Sequence, residues 1–363
     1  MRHRRHIMKV LVINPGATST KISVFREETE EFKTNLLHSA QDLAPFAHVA
    51  QQGPYRRELI LNALTEAGYS LSDFDAVCGR GGLLRHIPSG TYAISDAVIA
   101  DVMDPPYGEH ASNLGVLLAR ELGDEAGIPS FFVDPVCVDE MSDIAHVSGF
   151  KGMERQSFFH ALNQKSIARK AAGMLGKPYE QCRMIVVHLG GGVSVAAHEN
   201  GLAVDVFNVK DEGAFGLDRG GSLPVNAVIN LCFSGITKKE AKKLLGVEAG
   251  AYSYVGTKDF REIERRAFEE NDKDCRLVFD AMAYQLAKDI GAMAAVLKYK
   301  VDAVVYTGGM AHSKKFVSTI ESYVGPLAPT ICLPGEEEMQ SLALGALRVL
   351  RGEKAKVYEQ EVK

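Results

Sequence analysis

Three short turns in this 363-residue chain carry the residue types that hold phosphate oxygens. In Asn14-Pro-Gly-Ala-Thr-Ser-Thr-Lys21, the turn at Gly16 leaves backbone N–H groups available, Thr18 and Ser19 add hydroxyls, and Lys21 adds a point charge. In His188-Leu-Gly-Gly-Gly192, the glycines at 190, 191 and 192 allow a ligand to approach the backbone closely. Tyr306-Thr-Gly-Gly-Met310 supplies a third such turn at Gly308 and Gly309. One of these alone is ordinary turn chemistry, but three, each following a strand-like run, point to a phosphate-bearing ligand. Other phosphate and nucleophile devices are absent. There is no G-x-x-x-x-G-K-[ST], no G-x-G-x-x-G after a strand and no G-x-S-x-G, which argues against a P-loop, a Rossmann turn and a hydrolase elbow.

The turns need strands to hold them. Lys9-Val-Leu-Val-Ile13 is β-branched and apolar, and Lys21-Ile-Ser-Val-Phe25 alternates with period two, so the first turn joins a hairpin. The pattern returns in the second half of the chain. Met184-Ile-Val-Val-His188 and Val193-Ser-Val-Ala-Ala197 flank the second turn, and Asn200-Gly201 makes a tight hairpin into Leu202-Ala-Val-Asp-Val206. Asp302-Ala-Val-Val-Tyr306 precedes the third turn, and Ser130-Phe-Phe-Val133 precedes Asp134. Helical spacing marks residues 112–125, 160–175, 276–299 and 340–351; Leu286, Ile290, Met293 and Leu297 form one core stripe in the longest. The expected architecture is α/β, with two similar domains that each open on a glycine-turned hairpin and face each other across a cleft.

Composition narrows the partners. With 41 Lys+Arg against 46 Asp+Glu the net charge is −5, which gives no electrostatic reason to bind nucleic acid. No window approaches the roughly 18 apolar residues that span a bilayer. The basic stretch Met1 to His6 is followed by no apolar segment of signal length. It reads as an upstream extension before Met8, and His3 and His6 as part of it rather than as a metal site. The six cysteines are widely spaced with no Cys-x-x-Cys pair, and read as reduced, buried thiols of a cytoplasmic protein.

The order of the three turns resembles that of the short-chain fatty-acid kinases, the acetate and butyrate kinases, within the superfamily of sugar kinases, Hsp70 and actin. The resemblance runs from about residue 8 to 350. Val10-Leu-Val-Ile-Asn-Pro-Gly-Ala-Thr-Ser-Thr-Lys21 is similar to the acetate-kinase opening. Phe159-His160, His188 to Gly192, Gly216-Leu-Asp-Arg-Gly-Gly221, Lys258-Asp-Phe-Arg261, Thr307-Gly-Gly309 and Pro334-Gly-Glu-Glu-Glu338 resemble later family motifs in the family's order. Departures are informative: Ala17 stands where acetate kinases carry Ser, Gly190 to Gly192 where they have Gly-Asn-Gly, and Met310-Ala-His-Ser313 where Gly-Glu-Asn is usual. Gly79-Arg-Gly-Gly-Leu-Leu84 and the shorter length resemble the butyrate-kinase branch.

The resemblance implies two duplicated actin-like (ribonuclease H-like) domains facing a cleft. It places an acyl-substrate-side domain over residues 1–170, a nucleotide-binding domain over 171–345, and a terminal helix and tail over 346–363 returning to the first. The implied reaction is butanoate + ATP giving butanoyl phosphate + ADP, with Mg2+. A carboxylate acceptor is already an anion at pH 7, so it needs no general base, and charge neutralisation must do the work. Arg219, framed by Gly216 and Gly220-Gly221, fits an arginine held over a phosphoryl group, and Arg80 is the candidate for the family's other catalytic arginine. Asp134, at the C-terminal end of a strand, and Glu337 are the expected Mg2+ carboxylates. His160 and His188 resemble the family's phosphate-side histidines. Asn14, Thr18, Ser19, Lys21, Gly190, Gly191, Gly192, Asp259, Arg261, Gly308 and Gly309 are the expected nucleotide and phosphate contacts. Val136, Phe158, Phe159, Leu83 and Leu84 are candidates for an apolar acyl pocket, and a homo-oligomer, dimer or higher, is expected. Alternatives are an acetate, propionate or isobutyrate kinase, a sugar or alcohol kinase with Asp134 as base, and an actin- or Hsp70-like ATP switch.

Overall fold

The computed structural model describes residues 6–362. Among them, twelve strands form two sheets. The first contains β1 (Lys9–Pro15), β2 (Ser19–Arg26), β3 (Thr29–Leu37), β4 (Ala76–Arg80), β5 (Thr91–Ala93), β6 (Ser130–Val133) and β12 (Lys356–Val357). The second contains β7 (Arg183–Leu189), β8 (Val193–Glu199), β9 (Leu202–Phe207), β10 (Ala303–Gly308) and β11 (Thr330–Pro334). Their orders are β12-β5-β6-β4-β1-β2-β3 and β11-β10-β7-β8-β9. In the first, the antiparallel meander β1-β2-β3 is extended by β4 and β6, each parallel to its neighbour. In the second, the antiparallel meander β7-β8-β9 is extended in the same way by β10 and β11. The duplication expected from the sequence is therefore present in the topology, and the fold is α/β of the actin-like kind.

Contacts divide the chain into one unit running to Asp139 and resuming at Glu337, and a second covering Glu140–Glu336. The sequence placed these boundaries at 170/171 and 345/346. The helix Ala161–Met174 accounts for the first difference. Its Ile167, Ala168, Ala171 and Ala172 pack with Met184, Val186, Ala303 and Val305 of β7 and β10. The helix Glu338–Leu350 packs on β1, β4 and β6, and β12 pairs with β5, so the end of the chain belongs to the first sheet.

Burial explains the strand sequences. Val10, Leu11, Val12 and Ile13 have no exposed surface, because β1 is covered on both faces and so reads as an unbroken apolar run. In β7 the alternation is between two buried faces: Ile185, Val187 and Leu189 join the core formed with the helix Lys273–Val296, while Met184 and Val186 meet the helix Ala161–Met174. His188 falls on that second face by period two. The edge strand β3 carries Glu30, Glu31 and Lys33 and has no apolar run, so pattern reading passes over it. At the end of β4 a methyl built on Gly79 would lie 1.9 Å from the carbonyl oxygen of Gly115, so the helix Leu114–Ala126 rests directly on the strand backbone beside Arg80. The expected turn at Asn200-Gly201 has φ of 54° and 78°, which places both residues in the left-handed region that a two-residue hairpin needs.

All six cysteines are free; four are buried as expected, but Cys232 and Cys332 are exposed, the former on a surface helix and the latter on the edge strand β11. His3 lies outside the described residues, and His6 meets Asp75 at 2.5 Å. Among the described residues no helix is long and apolar enough to cross a membrane.

Candidate active site

In the first unit, the ends of β1 and β4 and the start of the helix Glu338–Leu350 meet in a closed ring of three side chains. Arg80 holds Glu338 through both guanidinium Nη atoms, Nη1 to Oε2 at 2.9 Å and Nη2 to Oε1 at 2.8 Å. Asn14 donates to Glu338 Oε2 at 2.7 Å and accepts from Arg80 Nη1 at 3.2 Å. Asn14 and Arg80 are thus brought together, with Glu338, a residue of the acidic motif that the sequence reading left without a role. Lys21 is the cross-strand partner of Asn14, and is exposed, as is Thr18; Ser19 is partly buried.

Asp134 follows β6 with φ of 37°, a left-handed conformation that aspartate tolerates better than most residues. Its Oδ1 accepts from the Gly90 amide at 2.6 Å, and its own amide donates to the Gly90 carbonyl at 3.1 Å, so the carboxylate is fixed at the strand end. Glu337 is the residue before the helix Glu338–Leu350, and its carbonyl accepts from the Ser341 amide and hydroxyl. Among the described residues no three His, Cys, Asp or Glu side chains form a metal cage. A carboxylate is a donor suited to Mg2+, which takes few protein ligands and completes its shell with water and phosphate oxygens.

In the second unit, His160 and His188 stack ring on ring, 3.7 Å apart and 12° from parallel. Sequence spacing gave no sign of this pairing. His160 precedes the helix Ala161–Met174, and its Nδ1 lies 2.8 Å from Ser194 Oγ, while Ser194 is the cross-strand partner of His188. His188 Nδ1 lies 2.8 Å from Asn163 Oδ1, and its Nε2 lies 3.3 Å from Glu336 Oε1. Gln164 donates to Ser194 Oγ at 2.9 Å and meets His198 Nε2 at 3.1 Å, and His198 Nδ1 meets Tyr179 OH at 2.7 Å. Burial holds the His198 pKa well below its ordinary value, with Lys165 and Arg169 adding to the effect, so this buried chain is built on a neutral imidazole. Asn163 and Gln164 stand three and four residues after His160, the spacing that shares a helix face, so periodicity offered a signal for them.

Arg219 lies beside the same turn. A methyl built on Gly192 would sit 3.7 Å from both Arg219 Nε and His160 Cε1, which places the two predicted catalytic residues around Gly192. The arginine loop is held by backbone bonds: Leu217 N donates to Gly191 O at 3.1 Å, and Ala251 N and Tyr252 N donate to Gly216 O and Leu217 O at 3.0 and 2.9 Å. The Arg219 head itself is lightly held. It makes one 3.3 Å hydrogen bond to Val209 O and a 4.0 Å approach to Asp218, and its side chain is 38% exposed.

Asp289, from the helix Lys273–Val296, anchors the start of this loop by accepting from the Ala214 amide at 2.6 Å. Burial raises its carboxyl to about 6, against the opposing pull of the Ala214 hydrogen bond and of Lys288, and with Glu212 adding to the rise. The folded state therefore holds this proton more tightly than the unfolded chain. Its stabilisation is full below about pH 4 and is lost as pH rises through about 6. Ionisation of Asp289 at neutral pH thus costs on the order of 3 kcal/mol. Asn at 289 keeps the acceptor and removes the charge. Asp289→Asn should melt higher than the parent at pH 7.5, and the gap should shrink to about half at pH 5 and close below about pH 4; a gap that does not change with pH would refute this assignment.

Five of the expected nucleotide residues border a pocket of about 830 Å³ within the second unit, while His188 and Gly192 do not line it and Asn14, Thr18, Ser19 and Lys21 belong to the first unit. Gly190, Gly191, Asp259, Arg261 and Gly309 line it, with Leu217 and Met310 as apolar wall and Glu336 at the edge. Gly308 does not line it. With φ of 89°, it packs where a side chain would strike the Leu189 carbonyl, and its amide and carbonyl bond those of Gly335. Asp259 caps the helix Phe260–Phe268 by accepting from the Arg261 amide at 2.9 Å, and pairs with the Arg261 head at 2.8 Å; these bonds to Arg261 hold its carboxyl below the usual range. Of the acyl-pocket candidates, Leu84, Phe158 and Phe159 are fully buried, whereas Leu83 and Val136 keep some exposure.

Residues 150–323 match the acetokinase family model. The matched segment lies inside the second unit and contains His160, the second turn, Arg219, Asp259 and the third turn. Solved structures extend the likeness over the whole fold. A Porphyromonas gingivalis acetate kinase superposes with a TM-score of 0.79 at 21% identity, covering 94% of this chain and 100% of that one. A propionate kinase from Francisella tularensis gives 0.73 at 18% identity, over 93% and 99%. A ROK family protein from Streptococcus pneumoniae gives 0.52 at 10% identity, over 95% and 100%. At these identities the likeness establishes the actin-like fold that these kinases share.

Proposed function

We propose that the protein is an ATP-dependent kinase of short-chain carboxylates, with butanoate as preferred acceptor, forming butanoyl phosphate and ADP reversibly. The observation that carries this reading is the grouping of His160, His188, Gly192 and the lightly held Arg219 beside a pocket of nucleotide size in the segment that matches the acetokinase family. The acceptor carboxylate is already charged at neutral pH, so attack of its oxygen on the γ-phosphorus requires no proton removal. The P–O bond to the β-phosphate breaks as the new acyl P–O bond forms, and the chain's task is to neutralise and align the anions. Arg219 offers its unspent donors to the transferring phosphoryl oxygens. The paired imidazoles of His160 and His188, oriented by Ser194 and Asn163, line the phosphate side of the same turn. The glycines at 190, 191 and 309 admit the nucleotide, whose adenosine rests on Leu217 and Met310 near Arg261. Asp134 and Glu337 would hold Mg2+, which when bound adds positive charge to the phosphate oxygens. By the resemblance of its motifs alone, the protein is proposed to be cytoplasmic and a homo-oligomer.

Preference for butanoate rests on Arg80-Gly-Gly-Leu-Leu84. One methylene in an apolar pocket separates substrates by about 1–3 kcal/mol, so neighbouring acids are expected as graded substrates. Purified protein with Mg-ATP and hydroxylamine, given acetate, propionate, butanoate, isobutyrate or valerate in turn, should yield acyl hydroxamate most rapidly with butanoate. A maximum at acetate or propionate would overturn the chain-length assignment alone. ATP hydrolysis without hydroxamate from any acid would overturn the carboxylate-kinase reading in favour of an alcohol kinase or an ATP switch.

A further inference from the structure

Beneath the first turn lies an arginine that no role above uses. Arg56, on the helix Gly53–Glu66, is fully buried, yet no carboxylate stands within ion-pair distance of it among the described residues. Its Nη1 donates to the carbonyl oxygens of Gly16 and Ser19 at 2.9 and 3.1 Å and to Thr20 Oγ1 at 3.0 Å. Its Nη2 donates to Ala17 O at 3.2 Å and to Gln52 Oε1 at 2.7 Å, which also accepts from Nε at 3.1 Å. A buried cation balanced only by neutral dipoles is costly to keep, so its position calls for a reason beyond packing.

The bonds fix the direction of the turn. In a trans peptide the N–H points opposite to the C=O of the same plane. With the Gly16 and Ala17 carbonyls drawn down to the guanidinium, the amides of Ala17 and Thr18 point the other way, and both residues are exposed. The far side is locked as well. Thr20 Oγ1, which accepts from Arg56, also lies 2.8 Å from His38 Nε2. Burial, aided by the Arg56 charge, lowers the His38 pKa to about 4, so the ring is neutral and can accept. Outward amides above a buried positive charge are complementary to an oxyanion.

We infer that Arg56 is the positioning residue of this turn: it preorganises the Ala17 and Thr18 amides and lends them a buried positive charge for a phosphoryl oxyanion that it does not itself touch. The inference rests on reading this turn as a phosphate site. A lysine keeps the charge but has a single nitrogen in place of the planar fork that reaches four oxygens of the turn, and a glutamine lacks the charge.

The test uses the full chain as Arg56→Lys and Arg56→Gln. Binding of Mg-ATP and of inorganic phosphate is measured by calorimetry, kcat and KM by hydroxamate formation, and folding by melting. In folded variants, affinity for at least one of the two ligands should fall tenfold or more, Arg56→Lys less than Arg56→Gln, with kcat for saturating ligand changed by less. Loss confined to Mg-ATP assigns the turn to a nucleotide phosphoryl group, and loss confined to inorganic phosphate assigns it to the acyl-phosphate side. Folded Arg56→Gln that binds both ligands as the parent does would overturn the inference. Hydrogen exchange on the unaltered protein keeps the test decisive if neither variant folds: the Ala17 and Thr18 amides should slow at least tenfold with one of these ligands, and no slowing would equally overturn it. A protein that protects these amides but makes no acyl hydroxamate would sink the carboxylate-kinase reading and sustain this one.

Discussion

Arg219→Gln should lower kcat about a thousandfold, the scale on which an arginine stabilises a transferring phosphoryl group, while moving the melting temperature little. The geometry separates the two effects. The Arg219 head spends one donor on Val209 at 3.3 Å and has only a 4.0 Å approach to Asp218, so its removal takes little from the folded state. The loop that carries it keeps its shape without the head, because the backbone bonds from Gly216 and Leu217 to Gly191, Ala251 and Tyr252 involve no side chain. An exposed ion pair at such a distance contributes well under about 1 kcal/mol. KM for nucleotide should change only a few-fold, since a contact made chiefly in the transition state acts on kcat. Arg219→Lys should recover part of the loss, charge being retained without the planar fork. Steady-state hydroxamate kinetics beside a thermal melt read all of this. Unchanged kcat in Arg219→Gln would remove Arg219 from the chemistry.

The parts of this fold that the sequence discloses are those written in local pattern. The buried strands around Val10–Ile13 and Met184–His188, the Asn200-Gly201 hairpin and the stripe Leu286, Ile290 and Met293 each follow from period and turn chemistry. What stays hidden depends on contacts distant in sequence. Arg56 is one arginine in a polar helix, and nothing near it signals that its head lies under a turn forty residues away. The stack of His160 on His188 arises because the helix Ala161–Met174 packs on the His188 face of β7, and that packing also moves the helix into the second unit. Asp259 and Arg261 line the pocket proposed to take the nucleotide, as motif resemblance suggested, yet their first physical task is to cap the helix Phe260–Phe268.

Arg80 supplies the second large effect, and here two roles make opposed predictions. As a phosphoryl contact, Arg80 should behave as Arg219 does, losing kcat and keeping stability. The ring it forms with Asn14 and Glu338 predicts the reverse. Both Nη atoms are committed to the Glu338 carboxylate, Nη1 is shared with Asn14, and the two charged side chains are only 23% and 13% exposed. Glu338 also opens its helix, where negative charge is favoured by the helix dipole. Removing the carboxylate leaves a half-buried guanidinium with Asn14 alone, so Glu338→Ala should cost about 2–4 kcal/mol, toward the lower end of what breaking a buried pair costs. Arg80→Met should cost a similar amount, and the double variant less than the sum, with a coupling of about 2 kcal/mol in a double-mutant cycle of urea melts. The rate should follow stability: since Asn14 begins the first turn, proposed to hold phosphate, and loses one of its two partners in either single variant, kcat/KM should fall about tenfold, chiefly through KM, and far less than for Arg219→Gln. Arg80→Met with full stability and a thousandfold loss of kcat would show instead that the guanidinium leaves Glu338 to meet the phosphoryl group.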